Sequence, residues 1–202
     1  MFRALTLMML LVTAGGTAAH QRTTEGPHAG IAVPEISHGE MVMIAEYRSR
    51  IIDLAAGAVD TNEPFRRVLN FAEIQYAYCL WGRMPGSVTD EASPFNECAH
   101  AYLAATKAVL LMMRTMKGEA EAAEAIVSEV DAGMVRRGLA LITCEFSGEA
   151  FNTADIVRPR WSAVPTHLAS LTTLAGLAGI SGLLVVAALA ILRRPTVPER
   201  QT

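Results

Sequence analysis

From Leu168 to Leu192 the chain reads LASLTTLAGLAGISGLLVVAALAIL without one charged side chain, and Arg193-Arg194 follows at once. A helix rises about 1.5 Å per residue, so this stretch is longer than the roughly 30 Å of hydrocarbon in a bilayer. Burying it in water as a core helix would require apolar elements wrapped all round it. The expectation is therefore a single transmembrane helix. Composition agrees: 51% of the 202 residues are hydrophobic and only 18% charged, an apolar balance high for a soluble domain of this size.

Residues 1–19 read as a secretory signal, with Arg3 in a short positive region, an apolar run from Ala4 to Ala14, and the small residues Thr17-Ala18-Ala19. Cleavage after Ala19 would make His20 the first mature residue; an uncleaved anchor is the alternative. Export followed by stop-transfer puts residues 20–167 outside and the tail 193–202 in the cytoplasm, on the periplasmic side of an inner membrane if the host is bacterial. Charge bias is modest, with Arg158 and Arg160 on the outer flank against Arg193, Arg194 and Arg200 on the inner one. Trp161 falls where an interfacial aromatic would sit. Within the span Gly176, Gly179 and Gly182 form a small-residue stripe on which another helix could pack.

Residues 20–36 contain Gly26-Pro27, Gly30 and Pro34 and read as a flexible leader. Ser37-His38-Gly39-Glu40 fits a capping box, which starts a first helix over about 37–59. After Asp60–Pro64, the positions Phe65, Val68, Leu69, Ala72, Tyr76, Cys79 and Leu80 follow helical spacing and predict a second helix to Trp81, stopped by Gly82. Ser93-Pro94 opens a third, carried by Phe95, Cys98, Ala99, Tyr102, Thr106, Val109, Met113 and Met116 to about Lys117. A fourth begins at Glu119 and, with Ala123, Ile126, Val130, Met134 and Leu141 on one face and weak points at Gly133 and Gly138, fades near Gly148. No alternating strand pattern occurs between 37 and 149, and the loops are short. The economical fold is all-α, an up-down four-helix bundle over about 37–149. Residues 150–167, with Pro159 and Pro165, form the linker to the membrane.

Three cysteines in an exported domain suggest one bridge and one remaining thiol. On an antiparallel hairpin of the second and third helices, Cys79 and Cys98 sit at nearly the same height, so their disulfide is preferred; Cys98 with Cys144 is the competing pair. Cys98 and His100 are two residues apart and point away from each other on a helix, which argues against a shared ion.

Met112, Met113 and Met116 could offer soft thioethers to copper, but they follow the apolar stripe and read better as core. An amino-terminal chelate at His20, with His28 and His38 near, is the sharper and narrower idea. No CxxC, CxxCH, GxSxG or HExxH motif occurs, so no cofactor is called for and no enzyme is indicated. Residues 20–167 carry 19 acidic and 13 basic side chains, a balance that disfavours nucleic acid. The reading preferred on these grounds is a membrane-anchored extracytoplasmic interaction or assembly protein, an accessory subunit of an envelope complex. It would meet the lipid bilayer and a protein partner, or a second copy, through the glycine stripe and through Tyr78 and Trp81. A periplasmic copper-binding or thiol-redox protein using Met, His and Cys is the alternative.

Overall fold

The computed structural model describes residues 30–144 and 146–193. The expected signal sequence, His20 and His28 in the leader, and the tail beyond Arg193 lie outside these residues. The protein is mostly helical, with one apolar helix at its carboxyl-terminal end.

Helix α1 (His38–Ala56) begins where Ser37 accepts from the Glu40 amide and the Glu40 carboxylate accepts from the Ser37 amide. Two orphan donors are thereby answered. It stops at Ala56, before Val59, which projects into solvent. Helix α2 (Glu63–Tyr78) is capped by the Asn62 side chain accepting from the Phe65 amide, with Pro64 in the first turn. It ends three residues short of the expected Trp81. The chain leaves it through a tight turn at Leu80–Gly82, in which Leu80, Trp81 and Gly82 all take left-handed φ values. The crossover is tight there, because a Cβ on Gly82 would fall 2.8 Å from the Tyr102 hydroxyl.

Helix α3 (Asn96–Met113) starts later than the Ser93-Pro94 signal implies; Ser93 instead accepts from the Phe95 amide in the preceding turn. Fourteen of its 18 residues are buried, which marks it as the central helix. Its alanines, Ala99, Ala101, Ala104, Ala105 and Ala108, let neighbours approach on several sides. Helix α2 packs most extensively on α3, α1 packs on α3 and on α4 (Ala120–Arg137), and α4 leans chiefly on α1. Gly133 of α4 is where α1 comes closest: a Cβ there would collide with the Met43 side chain. Charged pairs lace the outside of this contact, Arg50 with Glu129 and Arg137 with Glu46.

Helix α4 does not continue to Gly148. Gly138 takes the left-handed conformation (φ 65°), and the amides of Gly138 and Leu139 turn back to the Val135 and Met134 carbonyls. A glycine in that conformation ends a helix cheaply, and here it outweighs the apolar spacing that ran on to Leu141, which is 93% exposed.

The leader and the linker also depart from expectation. Ala32–Val33 (β1) pairs antiparallel with Phe151–Asn152 (β2), and Val33, Ile36 and Phe151 belong to the main core. The linker is held farther along, where Gln75 of α2 bonds both backbone groups of Val157. Met84, Phe95 and Val164 form a second, smaller core, against which Leu80 and Leu174 pack.

Helix α5 (Leu168–Leu192) is long and apolar enough to cross a membrane, and none of its most apolar segment is buried within the protein. The glycine stripe is bare: nothing lies within 4 Å of a Cβ built on Gly176, Gly179 or Gly182.

Candidate metal centre

Cys79 and Cys98 are bridged, with their α-carbons 5.8 Å apart, and Cys144 is a free, half-buried thiol. The two-residue offset between Cys98 and His100 then decides where His100 points. Cys98 faces α2, so the His100 ring turns to the other side of α3, toward the start of α1 and the segment after α4. There it meets His38 and Cys144. Each of the three offers a ligand atom, and these atoms lie within 4.8 Å of one another.

Each side chain is placed by a local cause. His38 is the first residue of α1, fixed by the capping box, whose Glu40 is also paired with Lys107 of α3 at 2.7 Å. Lys107 lies two turns beyond His100 on α3, so the ion pair clamps the start of α1 over that face. The Glu40 carboxyl is penalised by burial, but Lys107 and Ser37 together hold it below the usual carboxylate range. Cys144 is delivered by the segment that leaves Gly138. That segment lies against α1 at Gly39, whose amide donates to the Ile142 carbonyl at 3.3 Å. A Cβ on Gly39 would overlap the Leu139 carbonyl, so only glycine permits the approach.

One nitrogen of each ring has no partner among the described residues. His100 Nε2 lies 3.1 Å from Cys144 Sγ, while Nδ1 of His100 and Nδ1 of His38 are buried with no hydrogen-bond partner among the described residues. A buried nitrogen left unpaired costs about 1–3 kcal/mol, so the two call for an explanation. Burial, and secondarily the neighbouring His38, push the His100 pKa down from 6.5 to about 4, which keeps this imidazole neutral at ordinary pH. Ser147 Oγ accepts from the Cys144 amide at 2.9 Å and sits 3.3 Å from the sulfur. Phe146 closes one side, its ring 5.9 Å from that of His100.

Two other arrangements resemble catalytic sites. A thiol beside an imidazole is the start of a nucleophile-base pair, but among the described residues His100 has no orienting partner on Nδ1, and a base titrating near 4 is weak at neutral pH. At the root of α5, His167 contacts Ser170 Oγ through Nδ1 (2.7 Å) and Asp90 through Nε2 (3.0 Å). Ser170 has no exposed surface, and its own amide donates to the same Nδ1. The histidine is thus a helix cap. The hydrogen bond from His167 holds the Asp90 carboxyl below its ordinary range.

Of the residues the sequence singled out for metal, Met113 is in the main core, and Met112 and Met116 pack against it. His20 lies outside the described residues. Tyr78 and Trp81 are 45% and 55% exposed, beside Tyr76, which packs edge-on against Tyr102 under the Arg48 guanidinium. Sequence reasoning missed the His38, His100 and Cys144 set. The available signal was a leftover thiol together with the two histidines closest to helix positions. Comparison with known proteins gives no match to any family model, to any curated protein or to any solved structure.

Proposed function

We propose that this is a single-pass membrane protein whose helical domain, arranged as an up-down four-helix bundle, stands on the extracytoplasmic side and binds one transition-metal ion through His38, His100 and Cys144. The observation that carries the reading is the convergence of two buried imidazoles and one thiol within 4.8 Å, with an unanswered nitrogen on each ring. Imidazole and thiolate together suit zinc and copper and are poor ligands for magnesium or calcium. The half-buried sulfur gives the ion a way in. The Cys79–Cys98 bridge suits an oxidising compartment, and the uncharged α5 followed by arginine suits an anchor with its carboxyl end inside.

Metal analysis of the intact protein, purified from membranes in detergent and loaded with zinc or copper, tests this. One ion per chain is expected, and Cys144→Ala should abolish it. A protein that holds neither metal above the variant's level rejects the site.

A second reading is compatible with the first: an accessory or assembly subunit of an envelope complex, holding its ion for a neighbour. The exposed Tyr78 and Trp81 and the bare glycine face of α5 favour it. Recovery of a stoichiometric membrane partner with the intact chain, reduced by Gly179→Leu, would support this role; a solitary protein in native membranes would exclude it.

A further inference from the structure

We infer that the His38, His100 and Cys144 centre selects monovalent copper over divalent zinc. The inference rests on the metal-binding reading and goes on to name the ion.

Coordination number comes first. Among the described residues no fourth His, Cys, Asp or Glu joins the cluster. Structural zinc is almost always held by four protein ligands and catalytic zinc by three with a water in the fourth place, whereas a trigonal set of two imidazoles and one thiolate is a recognised copper arrangement. Ser147 Oγ, 3.3 Å from the sulfur, is a neutral hydroxyl and adds no charge to the set.

Charge gives the second argument. Two neutral imidazoles and a thiolate sum to minus one, which Cu(I) cancels and Zn(II) exceeds by one. Among the described residues no carboxylate joins the three ligands to compensate it. His100 has no exposed surface and His38 very little, and the Phe146 ring beside His100 lies under the Arg160 guanidinium at 5.7 Å. An uncompensated positive charge in such a place is costly, and a positive neighbour increases the cost. Softness acts in the same direction, since a thiolate favours Cu(I). Loading is a simple exchange: the Cys144 sulfur loses its proton to solvent as its bond to Cu(I) forms, and no electron moves.

The test is a competition on the intact protein in detergent, without oxygen, with Cu(I) supplied from a coloured chelator and zinc in excess. One Cu(I) per chain should bind despite the zinc, one proton should appear per copper, and Cu(I) but not zinc should protect Cys144 from alkylation. Cys144→Ala, on a half-buried loop position, should weaken copper by more than the roughly 10–100-fold typical of losing an outer-shell partner, with its helical circular dichroism unchanged. If zinc binds and Cu(I) fails to displace it, copper selection is wrong while the metal site stands. If neither ion binds and neither protects the thiol, both readings fall.

Discussion

A glutamine with no exposed surface is tolerable when both ends of its amide are answered, and Gln75 answers them with a single peptide unit. Its Nε2 donates to the Val157 carbonyl at 2.6 Å, its Oε1 accepts from the Val157 amide at 3.0 Å, and the Cys79 and Cys98 sulfurs lie at 3.4 and 3.6 Å from Nε2. Gln75→Leu should therefore cost about 1–3 kcal/mol in denaturant unfolding, because it strands the Val157 groups without improving the fit. An unchanged midpoint would show that water replaces the clamp. His100 carries a second expectation at this scale. Its folded value of about 4 lies below the ordinary 6.5, so between those pH values the unfolded chain takes up a proton that the folded chain refuses. This contribution to the metal-free protein is complete above pH 6.5, is lost as pH falls toward 4, and amounts to about 3 kcal/mol. Unfolding curves against pH should be flatter in that window for His100→Gln than for the native chain. Equal slopes would mean His100 is not held neutral. Neither residue's role was legible in sequence. Helical periodicity counts apolar positions and passes over Gln75, and a buried histidine is indistinguishable from an exposed one until its neighbours are placed.

Elements were easier to read than their ends. Ser37 with Glu40 and the facing Cys79 and Cys98 are short-range signals whose cause lies within a turn or a hairpin. Leu141 misled because it continues the spacing of α4 while Gly138, three residues earlier, ends the helix. Cys144 was thereby expected on the helix, whereas it lies on the segment that Gly138 releases across the start of α1. The close approach of the released segment to α1 gives the element-scale prediction. Gly39→Ala would drive a methyl group into the Leu139 carbonyl, and the segment must move because α1 is pinned by its capping box and by Lys107. The expected result is a retained helical spectrum with metal uptake reduced by about 10-fold or more, the scale of a lost supporting contact. A variant that binds as the native chain does would show that Cys144 is positioned independently of α1.

In the whole molecule the apolar helix α5 joins the helical domain at its carboxyl-terminal end. The junction is short and held from several directions: His167 caps α5 and reaches Asp90, Ser170 is fully buried, and Leu174 packs on the second core. The first two turns of α5 therefore belong to the domain. Residues 175–192 remain, and at 1.5 Å per residue they rise about 27 Å, close to the roughly 30 Å of bilayer hydrocarbon. This division makes a depth-dependent prediction. An arginine near the middle of that segment, as in Gly182→Arg, carries a translocon-scale cost of about 2.5–3.5 kcal/mol, whereas Leu192→Arg only lengthens the arginine cluster at the end, where a long side chain can reach water. Carbonate extraction of membranes should release a larger fraction of the Gly182→Arg protein while leaving Leu192→Arg and the native chain in the pellet. A helix merely exposed to solvent would accept both substitutions alike, so equal behaviour of the two variants would remove the membrane from the account.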